Sequence, residues 1–344
     1  MIDKDSQILK ADIISSYNLA RNCNKVFVES VTHEQYEQLK NRNSKIVAKN
    51  EILVVYKNTL LEICENDIIF CHSSFIHELF YLLNKVENLE NLKLVTTQSD
   101  VKITKKLFYS KPKCISEWYS INVDYDHEKL IPIPLGIAND YSPKNLRTED
   151  FLDIEINIQK KEKIYCNFNP NTNNKERINI NKLFNNNELF EFDSPTLSLS
   201  EYLNNLNEYR FILSPWGNGY DTHRLWESLY AGSIPITKNH ITYKGLSDKS
   251  VLFVDDYEEI NIELLNEFLK KYIPLDSFYL RTSFWINKMN SNSLGSQNKT
   301  VIKESKILTF YRIYEQLLFH KLESYLKKIK YYLGKIIKLL FRNS

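Results

Sequence analysis

Along most of the chain, short apolar runs alternate with longer stretches whose apolar residues recur every three or four positions. Val26-Phe27-Val28, Ile52-Leu53-Val54-Val55, Ile68-Ile69-Phe70 and Leu92-Lys93-Leu94-Val95 predict strands. Helices are predicted at 33–40, 58–64, 74–86 and 101–108. Strands joined through helices need right-handed crossovers, so a mostly parallel sheet is expected. Leu130-Ile131-Pro132-Ile133-Pro134 adds a strand whose prolines confine it to a sheet edge or to the exit from a domain. A polar, charged stretch over 138–162 breaks the pattern, which then restarts. Strands follow at 163–166, 189–192, 211–213, 234–236 and 251–254, and helices at 173–184, 198–207 and 258–271. The expected division is a first α/β domain over 1–145, a linker over 146–162, a second α/β domain over 163–288 and a helical extension over 289–344.

The stretch 209–237 organises the second half. Phe211-Ile212-Leu213 reads as a buried strand, and Ser214-Pro215-Trp216-Gly217-Asn218-Gly219 breaks it. Asp221 stands where a helix N-cap is expected, and the helix stops near Gly232 before Ile234-Pro235-Ile236. Three of the chain's seven glycines fall here, so they serve tight turning or close approach to a ligand.

Composition narrows the function classes. With 344 residues, 43% hydrophobic and 13% aromatic, the chain can bury sizeable cores and is not expected to be disordered. Its five cysteines (Cys23, Cys64, Cys71, Cys114, Cys166) are scattered and never spaced as CxxC, against a disulfide framework or a zinc site. The start, MIDKDSQILKADIISS, has no basic flank before an apolar core, and no uninterrupted apolar run of about 18 residues exists. Neither a signal peptide nor a spanning helix is expected.

The net charge of +2 is unevenly distributed. Residues 321–344 hold seven basic side chains and one acidic, whereas the first 320 hold 38 and 42. A broad basic face for nucleic acid is therefore disfavoured. In the tail, Leu322, Leu326, Ile329, Leu333, Ile336 and Leu340 draw one apolar stripe, with most lysines away from it. Such a helix suits an anionic membrane surface, or alternatively packs on the N-terminal domain. The expected location is cytoplasmic, peripheral on the inner face of the membrane.

The chemistry is expected at the carboxyl ends of the strands, where loops meet helix N-termini. Gly217, Asn218 and Gly219 with the following helix start make a natural anion site. Arg224 adds a bidentate donor suited to phosphate, and Glu227 falls on the same helical face. Alone, Arg224 and Glu227 read more simply as an intrahelical ion pair beneath an Asp221 cap.

The surrounding residues change that judgement. Thr222-His223-Arg224-Leu225-Trp226-Glu227-Ser228-Leu229, then Gly232-Ser233-Ile234-Pro235-Ile236, with the Ser214-Pro215-Trp216-Gly217 lead-in, resembles the exostosin family of glycosyltransferases. Ser233 stands where that family usually has Cys. More loosely, Tyr165-Cys166-Asn167-Phe168-Asn169 with Thr172, Asn173 and Arg177 looks like the first strand and loop of the family's nucleotide domain. Val95-Thr96-Thr97-Gln98-Ser99-Asp100 and Ile131-Pro132-Ile133-Pro134-Leu135-Gly136 look like acceptor-domain segments. About half of the chain is covered, with real specificity only over 209–237.

The resemblance implies a GT-B fold, two Rossmann-like domains facing a cleft, here with a C-terminal helical extension. It implies a nucleotide-sugar donor in the second domain, a glycan or lipid-linked acceptor, and an inverting displacement in surface polysaccharide synthesis of the bacterial capsule or lipopolysaccharide type. Arg224, Arg177 and the helix N-terminus would stabilise the leaving diphosphate, and Glu227 would hold the ribose. Asn167, Thr172, Asn173, Asp221 and Thr222 complete the donor side, where His223 would meet phosphate or sugar. Asp100 is the first candidate base, although it could equally cap the 101–108 helix; His72 is the second. No metal or other cofactor is expected: Asp124-Tyr125-Asp126 fits the Asp-x-Asp metal motif only formally, and a solvated surface explains it. Gly217-x-Gly219 lacks the third glycine of a dinucleotide fingerprint, since Thr222 stands there. A non-catalytic nucleotide- or sugar-binding module with a degenerate transferase fold is the rival.

Overall fold

The computed structural model describes residues 9–152, 154–194, 196–290 and 298–303. The chain divides into one unit over Met1–Val301 and a second over Ile302–Ser344. The apolar stripe of the basic tail and the 289–344 extension lie almost wholly outside the described residues. No described helix is long and apolar enough to cross a membrane.

Two large sheets carry the first unit, alongside two short two-stranded ones among the described residues. Strands β1 (Lys25–Val31), β2 (Ser44–Lys49), β3 (Val54–Asn58), β4 (Ile68–His72), β5 (Leu92–Thr97), β6 (Ile115–Ser120) and β7 (Leu130–Pro132) form a seven-stranded sheet in the order β7-β6-β5-β4-β1-β3-β2. From β1 to β7 the pairs are parallel, while β2 and β3 add an antiparallel hairpin at the far edge. The central parallel strands are buried on both faces, and Ile68-Ile69-Phe70 of β4 reads as a continuous apolar run. The proline-bearing β7 sits at the edge, as its missing N–H requires.

Three local expectations differ from what is observed. Residues 58–64 contain the strand Leu60–Cys64 rather than a helix, because Leu61 and Ile63 point inward and Glu62 outward with period two. Ser44–Lys49 is a strand that the pattern does not reveal, since as an exposed edge it carries little apolar signal. The helix expected at 101–108 is α2 (Lys105–Tyr109) and begins only at Lys105, with the Thr104 hydroxyl accepting from Leu107 N–H, so Asp100 caps nothing.

The second sheet is wholly parallel and contains β8 (Lys161–Cys166), β9 (Phe190–Phe192), β10 (Tyr209–Leu213), β11 (Ile234–Lys238) and β12 (Leu252–Val254), in the order β9-β8-β10-β11-β12. One face packs Ile180 and Phe184 of α3 (Asn174–Phe184) with Leu265 and Phe268 of α6 (Ile262–Lys271). The other packs Leu206 of α4 (Leu199–Glu208) with Leu225, Trp226 and Tyr230 of α5 (His223–Tyr230). Two Rossmann-like sheets, each with its own core and facing a common cleft, make this the GT-B arrangement.

Both chain ends of the unit enter the seam between the two halves. Ile13 belongs to the core of the second half, and its neighbour Ile14 packs in the first with Leu19 of α1 (Ser16–Asn22). Ile14 N–H donates to the Tyr230 hydroxyl, which donates in turn to the Leu280 carbonyl. Trp285, Ile286 and Met289 of α7 (Thr282–Asn290) return to the core of the first half. Gly136, at φ +69°, approaches so closely that a Cβ would lie 2.2 Å from the Ile14 carbonyl oxygen. Only glycine tolerates that conformation and contact.

Asp221 is the polar centre of this seam, and here the expectation of an N-cap fails. The capping position of α5 is Thr222, whose side chain makes no cap bond. The buried Asp221 carboxylate instead accepts from Leu135 N–H of the first half at 2.8 Å and from the Trp226 indole at 2.8 Å. Its own N–H donates to Asn122 Oδ1 at 3.0 Å. Burial pushes the Asp221 carboxyl up to about 7, against the opposing effect of those donors. Glu29, buried beside Arg21 and Tyr56, is likewise raised to about 7 by burial. An acid with a raised folded-state pKa binds its proton more tightly in the fold than in the unfolded chain. Its contribution is therefore fully present below about pH 4 and is lost as pH rises towards 7. Denaturant midpoints measured from pH 4 to 8 are expected to fall with pH, and Asp221→Asn, which removes one of the two groups, flattens that slope. An unchanged slope in the variant contradicts the assignment.

Candidate functional site

In the second sheet the strand order reverses between β8 and β10, so the loops leaving their carboxyl ends part and open a crevice. Those loops are 167–172 and 214–221. Together with the 98–100 and 139–145 loops of the first half they enclose a cleft of about 690 Å³.

Arg177 of α3 holds the two loops of the second half together. Its buried guanidinium donates from Nε to the Trp216 carbonyl at 2.9 Å, from Nη1 to Asn169 O at 3.2 Å and from Nη2 to Pro215 O at 3.2 Å. Burial, and then the neighbouring Arg224, lower its pKa to about 10, which leaves it charged at neutral pH. Most of its donors are thus committed to backbone, and its contribution to the cleft is loop shape and positive potential. Glu176 secures the same turn, accepting from Trp216 N–H and from the Tyr257 hydroxyl, both at 2.9 Å. Gly219 lies against the first half: a Cβ there would stand 2.6 Å from Asn122 Oδ1. Asn167 lines the cleft and donates from Nδ2 to Ser194 O at 2.9 Å.

Helix α5 presents the charged groups. Arg224 lines the cleft with its guanidinium carbon 6.0 Å from the Tyr202 ring centroid, a cation–π distance. Its Nε is buried without a hydrogen-bond partner, and among the described residues no carboxylate pairs with it. The intrahelical Arg224–Glu227 pair does not form. Glu227, buried, accepts from the Tyr202 hydroxyl at 2.8 Å. Burial raises its pKa, while the nearby His223 and Arg224 oppose the rise. His223 Nδ1 lies 2.7 Å from the Gly136 carbonyl. A carbonyl only accepts, so Nδ1 carries the proton and Nε2 is left to face other partners. The Thr222 hydroxyl is buried without a partner at the head of the helix.

Across the cleft, the 98–100 loop is fixed from behind. Gln98, at φ +70°, accepts from Ser30 N–H at 2.8 Å and donates to Ser30 O at 2.9 Å, and Ser73 donates to Thr97 O at 2.8 Å. Asp100 therefore stands exposed at the cleft on an anchored loop, and its carboxylate has no hydrogen-bond partner among the described residues.

Of the residues singled out in the sequence, the cleft unites Asp100, Asn167, Thr172, Arg177, Gly217, Asn218, Gly219, Asp221, Thr222, His223, Arg224 and Glu227. It does not include His72, whose Nδ1 accepts from Ser74 N–H at 3.2 Å within its own turn and whose ring packs edge-on against Phe75. Burial lowers the His72 pKa to about 4. Nor does it include Asn173, which faces a neighbouring cavity of about 730 Å³ beyond the 217–219 turn. Asp124 and Asp126 lie outside the cleft and face His240 and Lys244. The sequence reading missed Tyr202, which joins Glu227 across 25 positions, and the polar wall of Tyr141, Ser142, Lys144 and Asn145. The latter belongs to a stretch read as connection; its place just after an edge strand was the signal available.

No protein-family model matches the chain, and no curated protein matches it in sequence. Among solved structures, the fold is similar to an α1,3-fucosyltransferase at 14% identity, covering 67% of this chain and 71% of that chain with a TM-score of 0.31. It is also similar to AviGT4, a glycosyltransferase involved in avilamycin A biosynthesis, at 8% identity over 73% of this chain and 84% of that chain, again with a TM-score of 0.31. Likenesses so distant carry no argument about the site, which stands on its own geometry.

Proposed function

We propose that the protein is a glycosyltransferase that moves a sugar from a nucleotide-sugar donor to an acceptor hydroxyl. The observation that carries this reading is Arg224, whose buried Nε has no partner among the described residues, beside the buried Glu227 at the strand-order reversal of the second sheet. A diphosphate satisfies the first group and a ribose diol the second. The start of α5, Thr222 to Arg224, lines the same space, and a helix start favours an anion there. Arg177 adds potential from behind the loops.

The reaction is a direct displacement with inversion. The acceptor oxygen bonds to the anomeric carbon as the bond from that carbon to the phosphate oxygen breaks, and the electron pair leaves with the nucleoside diphosphate. Arg224 and the helix head stabilise the charge that develops on the leaving group. Asp100, on its anchored loop, accepts the hydroxyl proton. No metal enters this scheme, because the cationic groups above take the role of a divalent ion against the diphosphate. The acceptor is a glycan or a lipid-linked glycan of a bacterial surface polysaccharide, capsule or lipopolysaccharide, and the basic 321–344 segment brings the enzyme to the cytoplasmic face of an anionic membrane.

A thermal-shift panel of nucleotides and nucleotide-sugars identifies the donor, and transfer assays follow. Arg224→Ala is expected to lose about 1.5–3 kcal/mol of donor binding, the range for a charged hydrogen bond, with the fold retained. Asp100→Ala is expected to keep donor binding and lose about 10²–10⁴-fold in turnover. Wild-type behaviour of either variant removes that residue from the scheme, and a protein that binds donors without transferring them in any variant is a binding module. Activity is expected to survive EDTA; loss on chelation with recovery on manganese addition overturns the metal-free scheme.

A further inference from the structure

Arg224 and Glu227 stand three positions apart on α5, where opposite charges on a helix ordinarily meet. They do not pair, and one residue from another helix engages both. The Tyr202 hydroxyl of α4 donates to Glu227 Oε2 at 2.8 Å, and the Arg224 guanidinium lies 6.0 Å from the centroid of the same ring. We propose that Tyr202 is a positioning residue of the donor site: it keeps Arg224 and Glu227 from closing into an ion pair, so that the guanidinium stays available to a diphosphate and the carboxylate to a sugar diol. The inference rests on the donor-site reading above.

The competing state is favourable enough to need suppressing. A buried carboxylate without a donor turns to the nearest cation, and the attraction is strong where water is largely excluded. A diphosphate entering such a site would first have to break that pair. The Tyr202 hydroxyl removes the incentive by satisfying Glu227 with a neutral donor, and its ring holds the cation without neutralising it. Burial keeps the phenol protonated, so it remains a donor throughout the working pH range. Tyr202 can do this because α4 is fixed at its start by a reciprocal Ser198–Glu201 capping box. Its ring also packs beside Tyr165.

The test uses the full chain with inorganic pyrophosphate, which probes Arg224 and has no ribose for Glu227. In calorimetric titrations Tyr202→Phe, which keeps the ring and loses the hydroxyl, is expected to bind pyrophosphate about tenfold more weakly, the effect of one hydrogen bond. Glu227→Gln is expected to bind it more tightly than the wild type, because the carboxylate beside the anion is gone. The double variant Tyr202→Phe/Glu227→Gln is expected to bind it as tightly as Glu227→Gln alone, because a neutral amide does not capture the guanidinium and Tyr202 then has nothing to hold apart. In turnover, the Tyr202→Phe defect falls on KM for the donor rather than on kcat. A ligand-free crystal structure of Tyr202→Phe is expected to show Arg224 and Glu227 at ion-pair distance. A merely structural tyrosine leaves the double variant about tenfold weaker than Glu227→Gln. That outcome, or a Tyr202→Phe structure with the pair still open, overturns the proposal. If the wild type binds neither pyrophosphate nor any nucleoside diphosphate, the donor-site reading falls on its own, while the variant's structure still decides whether Tyr202 holds the charges apart.

Discussion

A single carboxylate removed from water fixes the relation between the two halves. Asp221 receives one hydrogen bond from the first half, at Leu135, and one from the second, at Trp226. Taking a carboxylate out of water is costly unless its oxygens are satisfied, and satisfying them here requires both halves at once. The position of α5 relative to the first sheet follows, because Trp226 is part of that helix. Gly136 and the Tyr230 hydroxyl add contacts that tolerate little displacement. Everything α5 offers to the cleft inherits its placement from this seam.

Within that frame the site is organised by uncompensated positive charge. Burial and then the neighbouring Arg224 lower the Arg177 pKa, with Glu176 opposing, and among the described residues neither guanidinium closes an ion pair with a carboxylate. Arg177 meets three carbonyl oxygens instead, which ties the two loops at the strand-order reversal into one rim. A multivalent anion bound at that rim relieves repulsion that the free protein contains. The arrangement selects for ligand charge before it selects for ligand shape.

Much of this was legible along the chain, and the rest was not for identifiable reasons. Buried parallel strands are apolar on both faces, so Ile68–His72 and Tyr209–Leu213 announce themselves. Ser44–Lys49 does not, because an exposed edge strand needs no apolar face. The segment before Asp67 carries strand alternation in only five residues, too few to separate from a helix turn by spacing. Arg224 and Glu227 were read from local spacing and reach the cleft together. What spacing could not give is partnership at a distance. A local rule assigned Asp221 to its own helix, and the resemblance assigned Arg177 to a diphosphate, whereas the fold gives them Leu135, 86 positions away, and three loop carbonyls. Tyr202 was invisible for the same reason: nothing near it in sequence names Glu227 as its partner.

The path of the amino-terminal segment has a consequence for how the protein is made. Ile13 contributes to a core completed by residues more than 200 positions later, and Thr282 donates to its carbonyl. Asp12 accepts from Ser283 N–H. On the ribosome, Asp12 and Ile13 emerge about 270 residues ahead of Thr282 and Ser283, the partners that tie them into the seam. At roughly 5–20 residues per second, these two residues spend many seconds without those partners. The first sheet can assemble during that interval, but the seam can close only after synthesis has passed α7. Closure of the cleft walls therefore waits until α7 has been made, and nascent chains depend on whatever shields a short apolar strap until then.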